Sequence, residues 1–364
     1  MRVGLLIYGT LDTLSGGFLY DRKLVDHLKG HGEDVEIISL PWRNYALHLT
    51  DNFSSSLLRR LAGSRFDVLL QDELNHPSLF WLNRRLKDRV SYPIISIVHH
   101  LRSSEKRPSW QNNLYRLPER AYLQSVDGFI FNSQTTQNVV EETIGKTNPH
   151  VVAHPAGDRL DPNINEIEIT ARAREKGPLK IVFLGSVIPR KNLHTLLDAL
   201  SQLTPGSYQL SVIGGLEVDH VYVQRIRRQI ADLGLERQVA LLGALQDKKL
   251  IAALRESHIL AMPSSYEGFG IAYLEGMGFA LPAIASKEGA AHEIITHNVD
   301  GFLIEAENAS SLAGHLRELT SNREKLIQMS LAARKRYLAH PTWDQSMANI
   351  REFLWKITQT LSAT

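Results

Sequence analysis

The chain contains no cysteine among its 364 residues. Disulfide bonds, thiolate metal centres and a cysteine nucleophile are therefore excluded. An excess of charge of one sign is also missing, because 41 lysine and arginine residues stand against 39 aspartate and glutamate residues, for a formal net charge of +2. This balance gives no support for nucleic-acid binding. The length is sufficient for two domains, each with its own core.

Long apolar runs are scarce as well. The nearly uncharged stretch from Glu267 to Lys287 approaches the length of a membrane span. Its glycines, Pro282 and the carboxylate of Glu275 would make a poor lipid-facing helix. The N-terminal sequence MRVGLLIYGT has an apolar run too short for the core of a signal peptide, so we expect a buried first strand in a cytoplasmic protein.

Short apolar runs alternate with longer amphipathic stretches, the pattern of parallel strands joined by helices. The predicted strands of the first half are Val3–Tyr8, Val35–Ser39, Val68–Gln71, Ile94–Val98 and Gly128–Asn132. Those of the second half are Lys180–Leu184, Gln209–Ile213, Val239–Leu242, Ile259–Met262, Ala283–Ala285 and Phe302–Ile304. We predict an α/β protein of two doubly wound domains facing a central cleft, with ligands bound beyond the carboxyl ends of the strands.

The polar segment 157–178 separates the two series of strands and contains two prolines. We therefore predict a first domain over residues 1–160 and a second over residues 161–341. The closing segment 342–364 has the pattern of an amphipathic helix with Ile350, Phe353, Leu354 and Ile357 on one side.

Two carboxylates, Glu267 and Glu275, stand in the stretch SSYEGFGIAYLEG, which follows the predicted strand Ile259–Met262. The loop glycines let backbone N–H groups approach a ligand closely, and the N-terminus of the following helix favours an anion such as a diphosphate. We expect both carboxylates to face one pocket and to accept hydrogen bonds from hydroxyl groups, as sugar recognition requires. The alternative is two solvated glutamates, which the apolar surroundings disfavour because burial without a partner is costly.

A second motif, FLGSVIPRKN, follows the predicted strand Lys180–Leu184. Arg190 and Lys191 would project from its strand-to-helix loop, where paired cations can neutralise a nucleotide diphosphate and the charge that develops as it leaves. Charge alone favours a solvated basic turn. The position favours a site, because the loop lies in the domain that carries the two glutamates.

Two features of the first half also point to a site. Gly16 and Gly17 precede the first helix, where their amides either face a phosphate or acceptor hydroxyl or form a flexible turn. The surrounding GTLDTLSGG lacks the G-x-G-x-x-G pattern of nicotinamide-binding proteins. His99 and His100 end a strand, and adjacent strand residues point to opposite faces, so we expect one to face the cleft and no shared metal ion. A core histidine is the alternative.

The run PSSYEGFGIAYLEGMGFALPAIAS followed by GAAHEIITHNVDGFLI resembles the signature of glycosyltransferase family 4. Members are retaining enzymes of GT-B fold that use nucleotide-sugar donors. Their signature holds two glutamates with seven residues between them, which Glu267 and Glu275 match. The resemblance extends over most of the chain and is most specific in the second half.

The resemblance implies roles for individual residues. Glu267 would contact the donor sugar, the amides near Phe269 and Gly270 the sugar or phosphate, and Glu275 the ribose hydroxyls. FLGSVIPRKN is similar to the family's G-R-x-x-x-x-K segment, but Ser186 replaces its arginine, so we assign that charge to Arg190.

Further family patterns complete the expected site. The H-D-L pattern aligns with His99, which would approach the donor sugar, and Gly289 begins a turn similar to the family's glycine-rich turn that ends in a glutamate, here Glu293. Ala280 replaces a family glycine, and the last helix would pack on the first domain. The expected catalytic residues are Glu267, Lys191, Arg190 and His99, and the expected donor-binding residues are Gly16, Gly17, Gly185, Ser186, Phe269, Gly270, Glu275 and Glu293.

These patterns predict a retaining hexosyltransferase that moves a sugar from a nucleoside diphosphate to a hydroxyl acceptor. The resemblance implies that it works without a metal ion. A sugar-nucleotide epimerase of the same fold is one alternative, but the two glutamates combined with R-K-N argue against it. An inert nucleotide-sugar-binding subunit is another, and the presence of Glu267, Lys191 and Glu275 together argues against that.

The acceptor is open between polysaccharides, lipids and small molecules. Its contacts are expected from the first-domain loops Arg43–Leu58 and Leu101–Leu117. LLRRLAGSRF and FWLNRRLKDRV mix basic and apolar residues, which suits either peripheral membrane contact or ordinary helices covering a sheet. The oligomeric state and the donor are not determined by the sequence.

Overall fold

The computed structural model describes residues 1–13, 15–145 and 148–362. It divides into two compact units, one formed by Met1–Pro155 with Trp343–Thr364 and the other by Ala156–Thr342. The first boundary thus falls a few residues before the junction placed at 160 from the sequence. The donor and acceptor roles assigned to the two domains stay predictions.

Each unit is built on a six-stranded sheet whose paired strands all run parallel. The first sheet contains β1 Arg2–Tyr8, β2 Asp34–Leu40, β3 Val68–Asp72, β4 Ile94–Val98, β5 Gly128–Phe131 and β6 His150–Val152. The second contains β7 Leu179–Leu184, β8 Tyr208–Ile213, β9 Val239–Gly243, β10 Ile259–Met262, β11 Ala283–Ser286 and β12 Gly301–Ile304. Central strands such as β4 and β5 are buried along their whole length, which explains their unbroken apolar sequences.

All the predicted strands are present, with ends that differ by a residue or so. The strand that sequence analysis missed is β6, which pairs Val151 with Ile130 of β5 at one edge of the first sheet. It is three residues long and lies between two prolines, Pro149 and Pro155. So short an apolar run gives no periodicity to detect.

Helices join the strands, as parallel pairing requires. In the first unit they are α1 Gly16–Gly30, α2 Tyr45–Leu49, α3 Ser55–Gly63, α4 His76–Leu79, α5 Leu82–Lys87, α6 Ser109–Leu123 and α7 Gln134–Ile144. In the second they are α8 Glu166–Arg174, α9 Leu193–Leu200, α10 His220–Asp232, α11 Asp247–Glu256, α12 Ile271–Gly278, α13 Ala291–Ile294, α14 Ala309–Ser321 and α15 Arg323–Ala339. The last helix, α16 Trp343–Ser362, returns to the first unit.

The order of the strands differs between the two sheets. The second sheet runs β12-β11-β10-β7-β8-β9, which is the order of the Rossmann nucleotide-binding fold read from its far edge. The first runs β2-β1-β3-β4-β5-β6, the related order of flavodoxin-like sheets. The chain reverses direction across the sheet between β7 and β10 in one unit and between β1 and β3 in the other. Ligands of such sheets bind at these switch points.

The two basic segments weighed for membrane contact form α3 and α5. Their leucines, among them Leu57, Leu61, Leu82 and Leu86, are buried in the core of the first unit. These helices therefore cover the sheet, and their arginines form the solvated face. Within the described part of the chain, no helix is both long and apolar enough to span a bilayer.

Candidate functional site

The loops that follow β7 and β10 meet at the switch point of the second sheet. After β7, residues Pro189–Lys191 form a short 3₁₀ turn, and Asn192 takes a left-handed conformation (φ 53°) directly before α9. The backbone oxygen of Arg190 accepts a hydrogen bond from the Ser265 N–H (2.8 Å), and the Arg190 guanidinium donates to the Tyr266 oxygen (2.7 Å). The two predicted motifs are thus joined through backbone groups.

An ion cluster forms where these loops meet, with Glu267 buried and Lys191 and Arg190 half-buried beside it. Lys191 Nζ lies 2.5 Å from Glu267 Oε1, and Arg190 Nη1 lies 3.5 Å from Glu267 Oε2. Burial alone would raise the pKa of Glu267, but the charges of Lys191 and Arg190 outweigh it and lower the pKa to about 2. Glu267 is therefore ionised throughout the neutral range.

The pKa of Lys191 is lowered, although an ion pair with a carboxylate would by itself raise it. Burial lowers it more than the attraction of Glu267 raises it, and the neighbouring Arg190 adds repulsion. One carboxylate serves two cations, so the cluster carries an excess of positive charge. An additional anion would complete its charge balance.

A third loop, after β11, closes against the same glutamate. The Ala290 N–H donates to the backbone carbonyl oxygen of Glu267 (2.9 Å), and the backbone of Gly289 forms an isolated parallel bridge with that of Glu267. Gly289 has a positive φ of 75°, and a Cβ there would lie 2.1 Å from that oxygen. Only glycine fits both conditions. Glu293 lies just beyond in α13, half-buried, and its carbonyl accepts from Arg336.

Glu275 is held by a different cation. It lies on α12, is buried, and both contacts from Arg159, through Nε and Nη2, reach its Oε1 at 3.0 Å. Arg159 also contacts Asp247 Oδ1 at 2.7 Å. Burial raises the pKa of Glu275 although Arg159 counteracts it. The two motif glutamates therefore share no cation.

The remaining predicted residues of the second unit frame this cluster. The Gly185 N–H donates to the Ile213 oxygen (2.8 Å), which holds the loop after β7 against the loop after β8, and Ser186 follows it. Phe269 buries its ring in the core of the second unit, so only its backbone is placed for a ligand contact. Gly270 (φ 107°) directly precedes α12, whose N-terminal amides favour anions.

The predicted residues of the first unit also come together. Gly16 and Gly17 are the first two residues of α1 rather than preceding it, because Ser15 caps the helix. A Cβ on Gly17 would stand 3.1 Å from His99 Cδ2, so a larger residue would press on the imidazole. His99 Nε2 lies 3.3 Å from Asp21 Oδ1, one turn further along α1. His100 instead contacts Glu105 at 3.1 Å. The two histidines thus have separate partners. Both lie just beyond the end of β4 at Val98, so the alternation of strand residues used to predict this does not apply to them.

His99, whose side chain is 11% exposed, forms a group with the buried Asp21 and Asp72, and their ligand-type atoms lie within 4.8 Å of one another. Burial alone would lower the pKa of His99, but Asp21 and Asp72 raise it to about 8. Burial, followed by the charge of Asp21, raises the pKa of Asp72 to about 8. At neutral pH a proton on Asp72 and a charged His99 balance the group.

A second group of this kind, Glu73, His76 and Glu119, lies in the same unit. Burial raises the pKa of Glu73 to about 7 and lowers that of His76 to about 4. Burial therefore favours the neutral forms of Glu73 and His76. The expectation that the protein works without a metal ion stays a prediction.

Sequence analysis missed Arg159 and Asp21. Arg159 lies in the polar stretch interpreted as an interdomain junction, and nothing in its neighbours marks it as a partner of Glu275. Asp21 lies on the buried face of α1 among Phe18, Leu24 and Val25. A lone acid on an apolar helix face was a usable signal, because such a group needs a buried partner.

Comparisons with known proteins decide the family. The model for "Glycosyltransferase Family 4" matches residues 18–157, and the model for "Glycosyl transferases group 1" matches residues 165–336. The chain belongs to glycosyltransferase family 4. The resemblance seen in the glutamate motif is therefore confirmed.

One similar curated protein is the GDP-mannose-dependent alpha-(1-6)-phosphatidylinositol monomannoside mannosyltransferase of Mycobacterium tuberculosis. It is 28% identical over 208 residues, which are 54% of this chain and 53% of that protein. The chain spans about half the length of the first curated relatives it matches.

Solved structures agree on the fold of this family 4 member. Sucrose-phosphate synthase from Thermosynechococcus elongatus has a TM-score of 0.84 at 18% identity, with both chains covered completely. Anabaena HepE in complex with UDP and glucose has a TM-score of 0.75 at 19% identity, again with complete coverage of both chains. The fold is GT-B, with two Rossmann-like domains, as predicted.

Family 4 members usually have a glycine where this chain has Ala280, and the structure gives the reason. Ala280 adopts a positive φ of 57°, a left-handed conformation that costs an alanine about 1 kcal/mol. It is fully buried, and its carbonyl accepts from Arg172 (3.0 Å). The substitution keeps the turn and strains its backbone.

Proposed function

We propose that the chain transfers a hexosyl unit from a nucleoside diphosphate sugar to a hydroxyl acceptor, with retention of configuration at the anomeric carbon. The observation that carries this proposal is the cluster of the buried Glu267 with the half-buried Lys191 and Arg190 at the switch point of the second sheet. Its excess positive charge suits a diphosphate as the missing anion.

In this proposal Lys191 and Arg190 neutralise the diphosphate and stabilise the charge that develops as it leaves. Glu267 orients both cations and accepts a hydrogen bond from the donor sugar, while the amides near Gly270 support the phosphates. Arg190 and Lys191 supply the charge that a metal ion supplies elsewhere, so we propose that no metal is required. The contact of His99 with the donor sugar stays a prediction.

Glu275 is proposed to bind the ribose. Arg159 reaches only its Oε1, which leaves Oε2 to accept a hydrogen bond from a ribose hydroxyl. Burial raises the pKa of Glu275, and the charge of Arg159 opposes that rise. This ion pair therefore prepares the carboxylate for the nucleoside.

The relatives suggest which donors and acceptors to test first. The mycobacterial protein is named for GDP-mannose and a phosphatidylinositol mannoside, and HepE was solved with UDP and glucose. We propose a hydroxyl acceptor on a glycan, a lipid-linked molecule or a small molecule, and peripheral contact with a membrane if the acceptor is lipid-linked.

The deciding experiment is calorimetric titration with UDP, GDP and ADP and with their sugar conjugates. We expect one nucleotide family to bind tightly, and Lys191→Ala and Glu275→Ala each to weaken binding about tenfold or more, because each removes a charged hydrogen-bond partner. Glu256→Ala, an exposed carboxylate at the end of α11, is the matched control and should bind like wild type. Unchanged binding in both site variants would contradict the proposal, and EDTA should have no effect.

A second experiment distinguishes transfer from epimerisation. The preferred donor is incubated alone and followed by proton NMR. A retaining transferase should slowly release the nucleoside diphosphate and a sugar whose first-formed anomer matches that of the donor. Appearance of an epimeric nucleotide sugar, or first release of the opposite anomer, would contradict the proposed reaction.

A further inference from the structure

The first unit contains a groove of about 630 Å³ between α2 and α6. Its volume lies within the range of small-molecule sites, roughly 300–1,000 Å³. Its walls are mainly apolar and aromatic and include Tyr45, Trp110, Leu114, Tyr115 and Leu117. Neither the catalytic residues nor the nucleotide residues proposed above contribute to it.

Helix α6 exposes an apolar face to solvent and buries a charged side chain, which is the reverse of the usual pattern of a surface helix. Trp110, Leu114 and Leu117 follow the i, i+4, i+7 spacing of one face and are 63%, 59% and 70% exposed. Glu119 on the same helix is fully buried, where its carboxylate accepts from the Ser103 N–H (3.1 Å). Such an exposed apolar stripe indicates a binding surface rather than ordinary surface composition.

Positive charge borders this groove. The Arg102 guanidinium lies over the rings of Tyr45 (5.2 Å) and Tyr115 (4.6 Å), which form part of the wall. Its Nε atom is buried and has no hydrogen-bond partner within the described part of the chain. Arg107 also lies over the Tyr115 ring, at 5.4 Å. A donor on an arginine that lacks an acceptor calls for an anion.

The local sequence strengthens this charge asymmetry. Segment 101–123 carries five basic residues, Arg102, Lys106, Arg107, Arg116 and Arg120, against the acidic pair Glu105 and Glu119. Glu105 is engaged by Arg107 at 2.5 Å, and Glu119 is buried. Arg102 and Arg107, which both lie over the Tyr115 ring, therefore supply positive charge at the edge of the groove.

We infer that this groove binds the hydrocarbon chain of an anionic amphiphile, with the phosphate or other anionic head at Arg102. The apolar walls fit the chain, and the border of positive charge fits the head. Segments 43–58 and 101–117, from which acceptor contacts are expected, supply the two walls. That the amphiphile is the acceptor rests on the proposed function, whereas the binding site itself does not. A second copy of the chain is the competing occupant of the apolar stripe, and the oligomeric state tests it.

The test uses dodecyl phosphate below its micellar concentration, with inorganic phosphate and dodecyl maltoside as the head-only and neutral-head controls. Calorimetry should show saturable binding of one dodecyl phosphate per chain, weaker binding of the maltoside and none of inorganic phosphate. Shortening the chain should weaken binding about fourfold per methylene removed from the groove. Equal affinity for the two dodecyl compounds, or no dependence on chain length, would overturn the inference.

Matched variants locate the site. Leu117→Glu places a charge in the groove and should weaken binding at least about tenfold, whereas Leu338→Glu, on α15 of the second unit and similarly exposed at 66%, should bind like wild type. Arg102→Gln should remove most of the preference for phosphate over maltoside, and Arg59→Gln on α3 should retain it. If both leucine variants bind alike, the groove is not the site.

Sedimentation velocity addresses the competing occupant. The inference expects the same oligomeric state for wild type and Leu117→Glu. If the wild type is a dimer and Leu117→Glu is a monomer, a second copy covers the stripe and the inference fails. Because these measurements need no donor and no turnover, amphiphile binding with no nucleotide binding would refute only the proposed function, and the converse result only this site.

Discussion

The two units share an architecture but satisfy their buried charges differently. In the second unit, Glu267 and Glu275 are each matched by cations from distant parts of the sequence. In the first unit, the group of Asp21, Asp72 and His99 is balanced mainly by protons, as the raised pKa values of Asp72 and His99 indicate. The carboxylate of Glu267 in the second unit stays charged across the neutral range, whereas the group in the first unit responds to pH near neutrality.

The two units also differ in their exposed aromatic residues and in their residues with left-handed backbone conformation. All the exposed aromatic residues among the described large hydrophobic side chains lie in the first unit: Trp42, Phe53, Trp81, Trp110 and Trp355. All the described non-glycine residues with positive φ lie in the second: Asp161, Asn192, Ala280, Asn298 and Glu307. Strained backbone accompanies tightly built sites, and exposed aromatic surface accompanies binding of apolar partners. The two units thus differ in their exposed side chains and in their backbone conformation.

The largest expected effect tests the ionic cluster of the second unit. Glu267→Gln leaves Lys191 and Arg190 without their carboxylate and should lower the free energy of unfolding by about 2–4 kcal/mol. The loss should be present above about pH 4.5 and should disappear as the pH falls towards 2, because the lowered pKa of Glu267 contributes stability only while the group is ionised. Urea unfolding at several pH values measures both.

The control for that variant is Glu305→Gln, which breaks the exposed pair of Glu305 with Lys287. It should cost less than about 1 kcal/mol, because solvent screens exposed pairs. Equal losses of unfolding free energy in the two variants would show that the Glu267 cluster stabilises the fold no more than an exposed ion pair does.

A smaller effect, dependent on pH, is expected in the first unit. Asp21→Asn removes the main partner of the His99 imidazolium, so the pKa of His99 should fall, and stability near pH 6 should drop by about 1–2 kcal/mol. In wild type the raised pKa of His99 stabilises the fold below about pH 6.5, and this contribution is lost as pH rises through about 8. The raised pKa of Asp72 acts in the same direction.

NMR titration of the His99 ring and unfolding at pH 6 and pH 9 test this prediction. Asp344→Asn is the matched control, since Asp344 contacts His27 (3.0 Å) but is itself well exposed. It should leave the His99 titration unchanged. An unchanged pKa of His99 in Asp21→Asn would refute the proton-balanced description of the first unit.

The smallest expected effect is a gain. Ala280→Gly should relieve the left-handed strain and stabilise the second unit by up to about 1 kcal/mol, reduced by the greater freedom of glycine in the unfolded chain. Ala283→Gly in β11, where no such strain exists, should instead destabilise it. Thermal unfolding of the two variants checks the difference in sign. Destabilisation by both would mean that packing of the Ala280 methyl group outweighs its strain.

Much of the fold was accessible from the sequence because its signals are local. Continuous apolar runs such as Ile94–Val98 mark buried parallel strands, and their alternation with amphipathic segments marks the helices between them. The short edge strand His150–Val152 escaped detection because three residues carry no period. The candidate site was accessible in part, since the motifs around Glu267 and Lys191 follow strands directly.

The partners within the site were not accessible. The pairing of Arg159 with Glu275 joins residues 116 positions apart, and that of Asp21 with His99 joins residues 78 apart. No local pattern encodes such contacts, because they depend on which strands and helices are neighbours in the folded unit. The solvent exposure of Trp110, Leu114 and Leu117 could not be predicted either, since the same spacing usually marks a buried face.

The sequence by itself determined the alternation of strands and helices, the family motif and the positions of the charged residues relative to strand ends. Periodicity and composition suffice for these, because each follows from the backbone geometry of a single element. Only the tertiary structure decided which charges pair, which histidine meets Asp21 and which apolar face stays in solvent. Those outcomes depend on desolvation and on contacts between elements far apart in the chain, and both exist only once the sheets have formed.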